Sequence, residues 1–163
     1  MNGEAPAIFV ALEESGFGAA VRQSAWLFPV GNVGHILALM VFAGAIAVMD
    51  VRLIGGLAAT APARVLTRAR SVAIAALILQ VATGFILFTA DASHVIINPV
   101  FQIKLALIGA GLVNLAVFEF GVKRKVVKLS PGVAMPASAK VAGLLSITIW
   151  IAVAACGRSI AYF

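Results

Sequence analysis

Four long apolar segments dominate the pattern of hydrophobic and polar positions along the chain. A helix needs about 20 mostly apolar residues to cross the hydrocarbon of a bilayer, and each segment is uncharged or nearly so. The segments are Val30–Met49, Ser71–Ala90, Val100–Val122 and Val141–Ile160. The sequence lacks the alternating-polarity strands of an outer-membrane barrel. The pattern therefore predicts an all-α fold, an integral membrane four-helix bundle.

The first 29 residues follow a different pattern. Apolar and charged side chains alternate there at roughly helical spacing, which predicts an amphipathic helix at the outer membrane surface. The acidic residues Glu4, Glu13 and Glu14 argue against a signal peptide, whose first region is basic. We therefore divide the chain into an amphipathic interfacial N-terminal segment, residues 1–29, and a four-transmembrane-helix bundle, residues 30–163.

Basic residues are concentrated in two of the connecting segments. The chain has 12 Lys and Arg against 6 Asp and Glu, and nine of the basic residues lie between helices 1 and 2 or between helices 3 and 4. They are Arg52, Arg64, Arg68, Arg70, Lys123, Arg124, Lys125, Lys128 and Lys140. Because basic loops stay in the cytoplasm, we expect both termini on the periplasmic side of a bacterial inner membrane. The charge then reflects topology and contact with the lipid bilayer, and not nucleic-acid binding.

Composition supports the membrane assignment and narrows the chemistry. Hydrophobic residues make up 63% of the chain and charged residues 11%, which is outside the range of soluble domains and of disordered chains. The single cysteine, Cys156, excludes a disulfide framework within the chain. The sequence has no nucleotide-binding motif, so we do not expect an enzyme that acts alone.

Each predicted helix carries its polar residues on one face, where they could meet in the bundle. His35 is the leading candidate in this set. It could be a haem or copper ligand, a proton carrier or a hydrogen-bond donor to a quinone, or a histidine satisfied by a neighbouring helix. Lys104 lies at similar depth and could bind an anionic head group, pair with Asp91, or extend to the outer interface.

Further candidates lie deeper in the membrane and at its outer edge. Gln80 and Asn114 fall near the midplane, where they are interhelical hydrogen-bond partners or ligands. The candidate cofactor-binding residues are His35, Lys104, Gln80, Asn114 and Arg158. The candidate metal ligands are His35 and His94.

A second charged group is predicted at the cytoplasmic end of the bundle. It consists of Asp50, Arg52 and Glu119. We expect structural ion pairs among these residues near the inner surface, and a proton entry point is the alternative.

A set of short elements runs through nearly the whole chain: Ser24–Pro29 (SAWLFP), His35, Asp50–Gly55 (DVRLIG), Thr83–Ala92 (TGFILFTADA), Asn98–Lys104 (NPVFQIK), Val113–Phe118 (VNLAVF) and Gly157–Phe163 (GRSIAYF). In these elements the chain resembles a bacterial family of small four-helix inner-membrane proteins of unknown function. The architecture is more distantly similar to the copper-resistance D and cytochrome-b-type bundles.

The resemblance implies a fold and a location but no activity. It also implies that relatives often carry a histidine at the position of Glu119, and this departure weakens a haem site built on two membrane histidines. Helical rise places positions 35 and 119 roughly 20 Å apart along the membrane normal, so they could not bind one haem iron together.

Three functions remain open from the sequence. The first is an accessory or anchoring subunit of a larger membrane complex, with a polar pocket near the outer face and a membrane-protein partner or homo-oligomeric assembly. The second is a redox protein that binds haem b or a quinone near His35 and Lys104. The third is a small permease for copper or another solute, although a copper path normally needs more methionine, histidine or cysteine.

Overall fold

A computed structural model describes residues 4–162, and the regular structure in that range is helical throughout. Residues 1–3 of the predicted N-terminal segment and the last residue of the Gly157–Phe163 motif lie outside the described range. Four helices are long and apolar enough to cross a membrane. The fold is therefore all-α, and the four helices indicate a multi-pass membrane protein.

The four spans are longer than the apolar segments of the sequence. The first is α3 (Leu27–Ile54) and the second is α4 (Pro62–Thr89). The third, Pro99–Val126, combines α6 (Pro99–Val117), a π-helical turn (Phe118–Val122) and α7 (Lys123–Val126). The fourth is α8 (Ala137–Ser159), followed by a 3-10 turn (Ile160–Tyr162).

The added helical length holds much of the basic charge. Arg64, Arg68 and Arg70 belong to the first turns of α4, although the sequence pattern placed them in a loop before Ser71. A 28-residue helix is about 42 Å long, whereas the hydrocarbon core is only about 30 Å thick. The basic helix ends can therefore reach the headgroup region.

The N-terminal segment forms two short helices where the sequence pattern predicted one. Helix α1 (Ala7–Glu14) ends at Ser15, and α2 (Gly16–Gln23) begins there because the Ser15 side chain accepts a hydrogen bond from the Gly18 amide at 3.1 Å. Helix α1 contacts α5 (Ala92–Ile97), a short helix that the pattern did not predict. The location of this segment at the membrane surface stays a prediction.

The Asn98–Lys104 motif makes the start of the third span. The Asn98 side chain accepts hydrogen bonds from the amides of Val100 and Phe101 at 2.9 and 3.3 Å, and Pro99 occupies the first turn. The Asn98 amide also donates to the carbonyl of Ile160 at 3.3 Å. One residue therefore begins α6 and ties it to the end of α8.

The spans pack in the order α4, α3, α8, α6. Helix α3 contacts both α4 and α8, and α8 contacts α6, whereas α4 and α6 make little direct contact. We call the end of the bundle that carries most of the basic residues the inner end, and the opposite end the outer end, after the orientation that the sequence predicts. At the inner end all four spans share a core of buried side chains, among them Met49, Leu66, Phe118 and Ala139. A smaller core in the middle of the bundle includes Phe42 and Ala76. Helix α4 and the third span are joined instead by side chains, through the stacked rings of Phe88 and Phe101 and the ion pair of Arg70 with Glu119.

Candidate functional site

His35 is held between α3 and α4 by hydrogen bonds to both ring nitrogens. Its Nδ1 lies 3.0 Å from the hydroxyl of Thr83, and its Nε2 lies 3.0 Å from the amide nitrogen of Gln80. The Thr83 hydroxyl donates its hydrogen to the carbonyl of Leu79 at 2.7 Å, so it can only accept from His35. This assigns the proton to Nδ1 and leaves Nε2 to accept from Gln80.

The arrangement leaves no free lone pair on the His35 ring. A haem or copper ligand must present an unprotonated nitrogen to the metal, and that nitrogen here accepts the hydrogen bond from Gln80. The contacts therefore match a histidine satisfied by a neighbouring helix. Binding of a metal by His35 would require the bond to Gln80 to break.

Gly84 allows this close approach of the two helices. A Cβ atom at Gly84 would lie 3.1 Å from Cε1 of His35, which is tighter than an ordinary contact. The other end of the Gln80 amide, its Oε1, is buried and has no hydrogen-bond partner among the described residues. The outer half of the bundle therefore holds a close contact between His35 and Gln80, in which one oxygen of Gln80 has no partner.

Lys104 lies on the third span and is half-buried. Its amine is 3.6 Å from the position that a Cβ atom at Gly157 would occupy. The alternative in which Lys104 pairs with Asp91 is not realised, since no carboxylate of residues 4–162 lies within 4.0 Å of its amine.

Two of the candidate cofactor-binding residues are engaged elsewhere. Asn114 donates to the carbonyl of Ala142 at 3.0 Å and so links α6 to α8. Arg158 is exposed, and its guanidinium lies 4.9 Å from the ring centre of Tyr162 and donates to the hydroxyl of that residue at 2.7 Å. The structure brings His35 and Gln80 together but does not bring Asn114 or Arg158 to them. A cofactor on this residue set stays a prediction.

His94, the second candidate metal ligand, lies in an exposed cluster at the outer end. Its Nδ1 is 2.7 Å from a carboxylate oxygen of Asp91, and ligand atoms of Glu13, Asp91 and His94 all lie within 4.8 Å of one another. The hydrogen bond to Asp91 raises the pKa of His94. Hydrogen bonds from the side chain and the amide of Ser93 lower the pKa of Glu13. His35 is not part of this cluster.

The expected ion pairs at the inner end are different from those that form. Arg52, only 1% exposed, donates to the carbonyls of Thr60 and Gly56 at 3.2 and 3.5 Å. It closes the turn after α3, and it is not paired with an acid. Glu119 is paired, but its partners are Arg70 at 2.9 Å and Lys123. Asp50 has no basic partner within the described part of the chain.

A cavity of about 120 Å³ lies in the inner half of the bundle and is lined by all four spans. We call it the inner cavity. Its walls are largely apolar side chains from all four spans. The rings of Phe42 and Trp150 meet there edge to face, with their centroids 4.7 Å apart. Asp50, Asn114 and Ser146 also line it, and Arg70 lies at its inner end.

Asp50 is the unusual group in the inner cavity. It is 3% exposed, its neighbour Ser146 is 9% exposed, and its Oδ2 has no hydrogen-bond partner among residues 4–162. A buried polar atom without a partner is unfavourable by about 1–3 kcal/mol, and acids within membrane spans commonly mark functional sites. The sequence pattern singled out Asp50 but assigned it to an ion pair.

Comparison with known proteins places the chain in a family. No curated protein and no solved structure is significantly similar to it, so the distant likeness to copper-resistance D and cytochrome-b-type bundles stays a prediction. One family model matches residues 15–163 and is described as a family of unknown function, DUF6644. The match covers α2, α5 and all four spans. The chain therefore belongs to the DUF6644 family.

Proposed function

We propose that this protein binds a lipid-soluble compound with a flat polar ring, of which a quinone is the chemical type, in the inner cavity. The observation that supports this most strongly is the unpartnered Oδ2 of Asp50 in the wall of a largely apolar cavity. Ligand sites are typically apolar pockets with a few polar groups that fix orientation. The inner cavity has this composition.

The size and opening of the inner cavity suit such a ligand. Its volume of about 120 Å³ is close to the roughly 150 Å³ of an engineered cavity that binds benzene. Phe42 and Trp150 provide aromatic surface for a ring. Because the backbones of α4 and α6 make little contact, an apolar tail would leave the cavity between these two helices and enter the lipid.

The polar groups provide partners for the oxygen atoms of a ring. Asp50 and Ser146 lie together on facing spans, α3 and α8, and both line the cavity. A hydroquinone hydroxyl placed there would donate to the free oxygen of Asp50, whereas a quinone carbonyl would accept a hydrogen bond from it only when Asp50 is protonated. Among the redox alternatives this favours a quinone over haem b, because both nitrogens of His35 are already hydrogen-bonded.

Quenching of Trp150 fluorescence by a short-chain quinone tests the proposal. Phenylalanine at position 26 removes the other tryptophan, which is 75% exposed. We expect saturable quenching in mild detergent, weaker binding after Asp50→Asn, and loss of binding after Ala73→Leu, which fills the cavity. Asp91→Asn, in the outer cluster, is the matched control and should bind normally. Quenching that does not saturate, or that is unchanged in Ala73→Leu, would contradict the proposal.

An accessory subunit is the second candidate, favoured by one observation. The lipid-facing side of α6 carries small side chains at helical spacing, and all of them are exposed: Ala106, Gly109, Ala110 and Val113. Small residues let membrane helices approach closely. We expect a stoichiometric membrane partner to co-purify after gentle solubilisation and to be lost after Gly109→Leu. A monodisperse single-component particle from the native membrane would count against this function.

A further inference from the structure

A second concave surface lies between α3 and α4 and is distinct from the inner cavity. It has a volume of about 500 Å³. Its apolar part includes Met40, Gly44 and Val48 of α3, and its basic end includes Arg64 and Arg68 of α4. We call this surface the basic groove.

We propose that the basic groove binds an anionic phospholipid, with one acyl chain along α3 and the phosphate between Arg64 and Arg68. The groove would then be a specific lipid site, which a general attraction of basic loops to the membrane does not require. It is independent of the ligand proposed for the inner cavity, since the two surfaces share no arginine.

The two arginines are the available cations of the groove. They are one helical turn apart, a spacing that brings side chains to within about 5–6 Å, and both are exposed. No carboxylate in the described range lies within 4.0 Å of either guanidinium. Two other arginines at this end are committed, Arg52 to backbone carbonyls and Arg70 to Glu119.

The apolar part of the groove has room for a chain. A Cβ atom at Gly44 would have no atom within 4 Å, so the glycine leaves an opening in the surface of α3. Met40 and Val48, one turn to either side, are exposed to 66% and 45%. An extended hydrocarbon chain could lie across Gly44 and contact both.

The depth of the two parts fits one amphiphilic molecule. Arg64 and Arg68 lie in the first two turns of α4, in the length by which the helix exceeds the hydrocarbon thickness. Gly44 lies in the middle of α3, at the level of acyl chains. Basic pockets between membrane helices bind lipid head groups in this way. Charge complementarity favours an anionic lipid over an apolar helix, which would leave both arginines without partners.

Native mass spectrometry of the purified full chain with matched lipids tests the site. The probes are phosphatidylglycerol and phosphatidylcholine with identical acyl chains, and inorganic phosphate. We expect one phosphatidylglycerol to be retained in preference to phosphatidylcholine. The double variant Arg64→Gln, Arg68→Gln should weaken its binding by roughly a factor of five per arginine. Gly44→Leu should weaken it as well, because leucine fills the chain position.

Matched controls separate this site from bulk charge and general apolarity. Arg124→Gln with Lys125→Gln removes two exposed charges from the same end of the bundle, and Gly121→Leu adds a side chain at another open glycine. Both controls should retain the preference. Equal loss in the control variants, or no preference for phosphatidylglycerol in the unmodified protein, would overturn the proposal. Inorganic phosphate that displaces the lipid, together with normal binding in Gly44→Leu, would indicate a free-anion site and would also overturn it.

Discussion

At the scale of single residues, Thr83 determines the protonation of His35. Its hydroxyl hydrogen is used by its own helix, so the oxygen can only accept. The sequence placed His35 and Gln80 on inward polar faces but put Gln80 deeper, near the midplane, so their direct contact was not predicted. The role of Thr83 was not predictable, because a threonine in a membrane helix commonly bonds its own backbone without any partner on another helix.

Replacement of Thr83 by valine tests this role. Valine has nearly the same shape but cannot accept from Nδ1 of His35, so we expect a loss of about 1 kcal/mol in the free energy of unfolding, typical of interhelical hydrogen bonds in membranes. The unfolding midpoint in mild detergent is the measurement. Thr148→Val is the matched control, because Thr148 is exposed and bonds only the carbonyl of Leu144. Equal effects of the two substitutions would refute the role of Thr83.

Glu13 links α1 to α5 through a carboxylate oxygen that accepts from the amide of Ser93 at 2.9 Å. Its pKa is lowered, so this contact is present above the ordinary pKa and is lost as the pH falls through the lowered one. The pKa of His94 is raised, so its attraction to Asp91 is complete below the ordinary pKa and is lost as the pH rises through the raised one. Both contacts are therefore present together only in the window between the two shifted pKa values.

Hydrogen exchange at the amide of Ser93 measures the first of these contacts. We expect its protection factor to fall as the pH passes below the lowered pKa of Glu13, and to be low at every pH in Glu13→Ala, which removes the acceptor. Glu14→Ala is the control, since Glu14 is exposed on the same short helix. Protection of Ser93 that is the same in Glu13→Ala as in the control would show that the carboxylate does not hold α5.

At the scale of elements, Gly143 determines how closely α8 approaches α3. A Cβ atom there would lie 3.1 Å from Cβ of Leu53 and 3.2 Å from the carbonyl oxygen of Asp50. We expect Gly143→Leu to push the helices apart at an overpacking penalty of about 1–3 kcal/mol. The unfolding midpoint measures this, with Gly121→Leu as the control because nothing lies within 4 Å of that position. An unchanged midpoint in Gly143→Leu would contradict the close packing.

The sequence predicted the number and order of the spans but not their ends. Hydropathy identifies the apolar stretches, whereas α4 begins at Pro62 because proline suits a first turn and the intervening arginines are good helix formers. Helix α5 has only six residues and no long periodic pattern. The pairing of Arg70 with Glu119 was missed because the sequence pattern placed Arg70 in a loop, whereas the pairing requires it to be on α4.

At the scale of the whole molecule, the packing order of the spans determines which side chains line the inner cavity. No sequence pattern specifies that α4 and α6 remain apart, because both have apolar faces that suit either lipid or another helix. The inner cavity depends on this separation. It could therefore not be predicted from the sequence, although Asp50 could be identified there as a charged residue near the end of a span. Packing also bears on the predicted division at residue 29. Helix α2 lies on the N-terminal side of that division but contacts both α3 and α4 of the bundle.

The orientation of the molecule in the membrane is a prediction that can be tested directly. The basic helix ends should face the cytoplasm. In a Cys156→Ser background, we expect Ser130→Cys to resist labelling by a membrane-impermeant thiol reagent in intact cells. Position 130 is exposed and follows the basic cluster, which consists of Lys123, Arg124, Lys125 and Lys128. Gly16→Cys, exposed near the other end, should be labelled. Labelling of position 130 before cell lysis would reverse the topology.

The π-helical turn Phe118–Val122 lies where the third span passes from the wall of the inner cavity to the basic cluster. Such a turn holds one residue more than an α-helical turn, and each residue advances the helix by about 100°. The two parts of the span are therefore out of phase by one position. Deletion of a single residue here would restore a continuous α-helix but rotate Lys123, Arg124 and Lys125 relative to the cavity wall. One additional residue therefore sets the angle between the part of this span that lines the inner cavity and the part that carries the basic residues. A change in chain length there would alter that angle without any substitution.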